Sequence, residues 1–215
     1  MTWPSQAPRD AQPTETESYR ILRSRIDLSR LPKHSRDVTE RVIYATADFD
    51  YATDLVCDER ALEWGVAALR RNVPVVADVA MVASGITRYP VICKITDSLS
   101  ARLARSANIT VSAASVRLAF GEAGPGAVWL VGCAPTALFE IISRQVEPAL
   151  VIGVPVGFVG AAAAKDELRA SGLPALSNVS EKGGSAVAVA AFNALLRIAK
   201  DETDAAPEDD QGAAQ

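Results

Sequence analysis

Apolar positions along this chain alternate between two periods: short uninterrupted runs, and longer stretches where they recur every three or four residues. Tyr19, Leu22 and Ile26 set the first helical pattern, which Pro32 ends. A second helix follows from about Arg36, with Val38, Val42 and Ala45 on one face, and the acidic stretch TADFDYATDLV then reads as a loop. Asp58 is placed to cap ERALEWGVAALRRN, whose Leu62, Val66 and Leu69 form an apolar stripe. Short apolar runs predict strands over 74–78, 91–95, 127–132 and 149–152, with a weak one at 174–178. Between them lie helical stretches: DVAMVASGIT stopped by Gly85, SLSARLARSAN capped by Asp97, and VSAASVRLAFGEAG with Thr110 as its cap. TALFEIISRQ follows Pro135, an Ala-rich helix ends at Gly172, and AVAVAAFNALLRIAK closes the series.

Strands alternating with longer helices predict an α/β domain, a three-layer αβα arrangement around a mainly parallel sheet. Right-handed crossovers would cover both faces and leave the loops at one edge. The stretch PALVIGVPVGFVGAAAAK, residues 148–165, is strand, glycine-rich loop and helix, the way such a sheet builds a ligand crevice. Its spacing is neither G-x-G-x-x-G nor a P-loop, so it predicts no dinucleotide or ATP site. Four loop-to-helix junctions share its character: 108–110, 132–135, 157–160 and 182–185. Gathered at one edge, their helix N-termini would each present roughly half a positive charge to a common crevice. Such a rim suits a ligand with several separated carboxylates or phosphates, although ordinary capped turns would look the same in sequence.

At 215 residues the chain suits one domain, expected over 18–200 between disordered tails at 1–17 and 201–215. A hydrophobic fraction of 49% with a net charge of −4 argues against a nucleic-acid partner. No apolar run approaches the roughly 20 residues that span a bilayer, and the start lacks the pattern of a signal peptide, so no membrane and a cytoplasmic location are expected. Cys57, Cys93 and Cys133 are scattered and odd in number, which fits a reducing compartment. The single histidine, His34, lies in the polar segment RLPKHSRD and is expected to be a solvated connector residue. Without a second histidine there is no Ser-His or Cys-His couple and no zinc pattern, so neither a metal nor a cofactor is implied.

RVIYATADFDYA, ADVAMVASGIT, GCAPTALFEII, PALVIGVPVGFVGAAAAK and EKGGSAVAVAAFNAL resemble, in this order, the signature segments of the precorrin-8X methylmutase family. The similarity runs over roughly residues 19–196. It implies a homodimer with an α/β sheet that acts on a corrinoid, a tetrapyrrole, in cobalamin biosynthesis. The implied reaction moves a ring methyl group from C11 to C12, giving hydrogenobyrinic acid or its cobalt-bearing counterpart. Such a substrate carries many carboxylate arms.

The resemblance also implies site residues. Thr87, Thr110, Ser112, Thr136 and Lys165 match the family pattern, and with Gly157 they are implied to bind substrate. Val111 and Cys133 occupy substrate-binding positions where the family carries arginine and asparagine, and Ala163 and Ala164 replace glutamate and serine. Tyr44 stands at the position of the family's histidine, the acid that protonates the macrocycle. Ordinary tyrosine and histidine pKa values differ by roughly 3.5 units, about 4.8 kcal/mol of proton-transfer driving force. With half-developed proton transfer the rate falls on the order of 50-fold. Three functions therefore stand side by side: the isomerase, a weakened homologue that binds or carries a tetrapyrrole, and an isomerase of another substrate. Locally, Tyr44 could instead pack at its helix end with its hydroxyl on Asp48 or on backbone, Lys165 could be solvated, Ser112 could serve its helix start, and Asp78 is expected to cap the turn that follows it.

Overall fold

The structure, a computed structural model, describes residues 12–144 and 146–204. Five short strands form one sheet: β1 (Leu55–Cys57), β2 (Val75–Ala77), β3 (Val128–Val131), β4 (Leu150–Gly153) and β5 (Ala175–Asn178). Their order is β1-β5-β4-β3-β2, with β1 antiparallel to β5 and the other pairs parallel. Period-2 alternation splits each strand between two cores. Val128, Leu130, Leu150 and Ile152 face one side, while Trp129, Val131 and Val151 face the other. Against the first side pack α2 (Lys33–Thr46), α4 (Glu59–Arg70) and α10 (Ser185–Asp204), with α1 (Gln12–Arg25) laid on α2. The second side carries α7 (Val111–Ala123), α8 (Pro135–Ser143) and α9 (Ala161–Ala170), with α6 (Ser98–Ala107) beside α7. The expected three-layer αβα architecture is present.

Several local expectations are corrected. Helix α1 begins at Gln12 and α10 reaches Asp204, so part of each stretch expected to be disordered is helical. Residues 1–11 and 205–215 lie outside the described residues. TADFDYATDLV is not simply a loop, because it holds a helical turn, α3 (Tyr51–Asp54), and the edge strand β1. Conversely 91–95 is no strand: only Ile92 pairs, by a bridge to Val76. Helix α2 starts at Lys33 and so includes His34, and Ala45 is exposed rather than on the buried face with Val38 and Val42. The caps hold: Asp58 accepts from the Arg60 and Ala61 amides, Asp97 from Leu99, and Thr110 from Ala113.

One glycine is required by both conformation and space. Gly183 has φ +147°, and a Cβ there would lie 2.3 Å from the Val154 carbonyl oxygen. That carbonyl also accepts the Gly184 amide at 2.9 Å, so the end of β4 and the start of α10 touch backbone to backbone. Gly183→Ala is expected to cost about 2–3 kcal/mol through strain and steric contact. A melting temperature lowered by roughly 5–10 °C should report it. An unchanged melting curve would contradict this close approach.

Candidate active site

The four junctions do gather at the carboxyl edge of the sheet. Thr110 Oγ1 donates to Thr136 Oγ1 at 2.8 Å, joining the starts of α7 and α8. The Gly157 amide donates to the Glu181 carbonyl at 3.1 Å, joining the β4–α9 and β5–α10 loops. Asp78, at the end of β2, is buried and accepts from the amides of Gly132, Cys133 and Ala134 at 3.1, 2.9 and 3.0 Å. It therefore holds the turn after β3 that leads into α8, and does not cap α5 (Ala80–Ser84), the helix that follows it. Burial raises the Asp78 pKa, with those three N–H groups pulling against it.

A second ionic group closes the end of β5. Asp54 accepts from Asn178 Nδ2 at 2.8 Å, from the Ser180 amide at 2.7 Å and hydroxyl at 2.8 Å, and from the Val179 amide at 3.2 Å. Burial works to raise its pKa, but these hydrogen bonds outweigh it and hold the carboxyl below the ordinary range. Lys165 lies below, fully buried, donating to Asn178 Oδ1 at 3.0 Å, to the Lys182 carbonyl at 2.7 Å and to the Ser180 carbonyl. Its three ammonium protons are thus spent on the protein. This corrects its implied role as a substrate contact: Lys165 holds the 178–184 loop against α9. Burial lowers its pKa to about 8, with Asp54 pulling the other way.

Tyr44, on the last turns of α2, is 37% exposed. Its ring stacks on Tyr19 of α1 with centroids 5.1 Å apart and planes 11° from parallel, and Arg41 lies over it at 5.0 Å. Asp48 is no partner for its hydroxyl, since that carboxylate accepts from Lys182 Nζ at 2.7 Å. Beside this stack is a cavity of about 720 Å³, lined by Tyr19, Arg41, Thr87, Arg88, Arg197 and Lys200 among others. A second cavity, of about 370 Å³, holds Thr110 and Thr136 together with the carboxylates of Glu140 and Glu167. The first sets Arg41, Arg88, Arg197 and Lys200 against Glu15 and Asp201 and so suits a carboxylated ligand, whereas the second holds Glu167 and a Glu140 already paired with Arg117 and Arg144. The implied site residues therefore fall in three places. Thr87 lines the first cavity, and Tyr44 reaches it only through the ring of Tyr19 on which it stacks, while Thr110 and Thr136 line the second, where exposed Val111 and half-buried Ser112 begin α7. Cys133 and Gly157 stand on the carboxyl-edge loops.

Among the described residues, His34, Glu59 and Glu63 offer metal-ligating atoms within 4.8 Å of one another. Glu59 is already engaged, however. It accepts from the amides of His34 and Ser35 at 2.8 and 2.9 Å, so it caps the start of α2 across 24–25 residues of sequence. His34 Nδ1 sits 2.8 Å from the same carboxylate, a hydrogen-bonded position rather than the solvated one expected.

The sequence pattern that defines the family described as precorrin-8X methylmutase matches residues 13–198. The chain belongs to this family. It is 35% identical to the cobalt-precorrin-8 methylmutase of Methanocaldococcus jannaschii, covering 90% of this chain and 97% of that one. It is 38% identical to the cobalt-precorrin-8 methylmutase of Salmonella typhimurium, covering 86% and 94%. A crystal structure of precorrin-8X methylmutase from Thermus thermophilus superposes with a TM-score of 0.81 at 32% identity, over 89% of this chain and 97% of that one. Relatives in the methylmutase family thus carry both names, with and without cobalt.

The Asp54 group gives this methylmutase fold an acid-sensitive joint. A carboxyl whose pKa is held below 3.8 in the folded state contributes stability that is present above that value and lost as pH falls through the folded one. Asp54→Asn is expected to destabilise by about 2–3 kcal/mol at pH 7. The gap to wild type should shrink steadily below pH 4, as followed by urea unfolding. A gap independent of pH would contradict the ionised role.

Proposed function

We propose that this chain is a methylmutase that moves a methyl group from C11 to C12 of a corrin precursor. The observation that carries the proposal is the cation-lined cavity beside Tyr44, the residue in the family's acid position. Arg88, Arg197 and Lys200 form no ion pair among the described residues, so their charge is available to carboxylate arms. Tyr44 is exposed and, among the described residues, its hydroxyl makes no hydrogen bond, so it can donate to the ring. A phenol is a weak acid, which favours proton sharing in the transition state over full transfer. A second function, a tetrapyrrole carrier, is favoured by the same substitution together with Val111 and Cys133.

Wild type is expected to convert precorrin-8X to hydrogenobyrinic acid, followed by absorbance. Tyr44→Phe should abolish turnover while keeping pigment affinity, and Tyr44→His should raise the rate by up to about 50-fold. Tight pigment binding with no turnover in either wild type or Tyr44→His would favour the carrier. No retained pigment at all would sink both.

A homodimer belongs to the same proposal. Phe158 and Val159 are 97% and 90% exposed on the β4–α9 loop, at an edge that also exposes Met81, Val156 and Val179. Apolar side chains so presented favour cover by another surface, and a second copy of this chain is the cover the family implies. The unpaired cysteines fit a cytoplasmic location. Light scattering should give twice the 22.7 kDa chain mass, and Phe158→Asp should shift it toward one. A monomeric wild type, or a Phe158→Asp dimer, would count against this surface.

A further inference from the structure

The Tyr19 hydroxyl is, among the described residues, the one buried side-chain polar atom that no hydrogen bond satisfies. Tyr19 lines the cavity, but its hydroxyl is covered, so a ligand atom reaches it by displacing the groups above it. Tyr44 stacks against the Tyr19 ring, and the Arg23 guanidinium lies 5.6 Å from its centroid. Arg41 interacts with the phenol oxygen outside hydrogen-bond geometry. Guanidinium is a donor only, so it leaves the phenolic proton with no acceptor in any case. A buried donor without a partner is costly and rare, and it persists most readily where a ligand completes it. The chemistry around the hydroxyl says which ligand. Arg41 is paired with Glu15 at 2.9 Å, whereas Arg88, Arg197 and Lys200 form no ion pair among the described residues and outnumber Asp201, the other carboxylate on the cavity. An acceptor is wanted at the hydroxyl, and a negative charge is wanted across the cavity.

We propose that Tyr19 is a substrate-binding residue whose hydroxyl donates a hydrogen bond to a carboxylate side arm of the macrocycle. The cations of the cavity offset the charge of that arm. A primary amide in the same place brings no charge to meet those cations, so the pair of features selects the free acid over its amidated form. This role rests on the methylmutase function proposed above and sharpens it, because it names a contact for one of the substrate's carboxylate arms.

Tyr19→Phe removes the hydroxyl and keeps the stacked ring. Its melting temperature should equal or exceed that of wild type, since no hydrogen bond within the protein is lost. Hydrogenobyrinic acid should bind roughly tenfold more weakly, and KM for precorrin-8X should rise by a similar factor with kcat within about twofold. Wild type should bind an amidated derivative of the pigment more weakly than the acid, and Tyr19→Phe should narrow that difference. If wild type binds the acid but Tyr19→Phe binds it equally well, the Tyr19 role is overturned while the methylmutase function stands. If wild type binds neither pigment, both fall. A variant that melts lower and binds all pigments equally poorly would mark Tyr19 as a packing residue and overturn the proposal.

Discussion

A parallel strand that stops leaves amides and carbonyls without a ladder partner, and here ionic side chains take them up. Asp78 collects three amides after β3, and Asp54 collects two after β5, together with the side chains of Asn178 and Ser180. Lys165 supplies the opposite need, donating to the carbonyls of Ser180 and Lys182. Charge-assisted bonds of this kind are about twice as strong as neutral ones, which matters where loops must hold one shape without strand pairing. The positions of Gly183, the start of α10 and the turn into α8 all follow from these anchors. The carboxyl edge of the sheet has fixed loops because charges inside the protein hold them.

Much of the fold was legible because its signals are local. Leu62, Val66 and Leu69 repeat at helical spacing and are buried as that spacing requires, and Asp58, Asp97 and Thr110 cap the helices they precede. What escaped depends on distant partners. Strand β1 is three residues long, half exposed, and exists only because Leu55–Cys57 meet residues 176–178. Residues 91–95 show the converse, since a β-rich composition does not make a strand when a single residue finds a ladder.

The site divides along the same line. The glycine-rich junctions announce themselves in sequence and do meet, whereas the cationic cavity is assembled from α1, α2, the loop after α5 (Ala80–Ser84) and the far turns of α10. Of its cations, only Arg197 and Lys200, three apart on one helix, are neighbours by sequence alone. Lys165 precedes Asp166 and Glu167 and looks solvated on paper, and only the packing of α9 on β5 buries it. Tyr19 entered the sequence pattern simply as an apolar position of a helix, and nothing in that pattern separates its ring, which packs, from its hydroxyl, which does not.

The bonds from Asp54 to Asn178 and Ser180 join residues 124 and 126 positions apart. A ribosome makes the chain from the N-terminus, so Asp54 emerges long before the amides that it will receive. Until β5 is made, the carboxylate has only water, and β1 has no strand to pair with. Closing so long a loop is a slow, late event, because its entropy must be lost before any of these contacts form. The loop that follows β5 is therefore a late part of the carboxyl edge to take shape during synthesis. A chain truncated before it would lack both this joint and α10, whose Phe192 and Leu195 lie fully buried in the core on one face of the sheet.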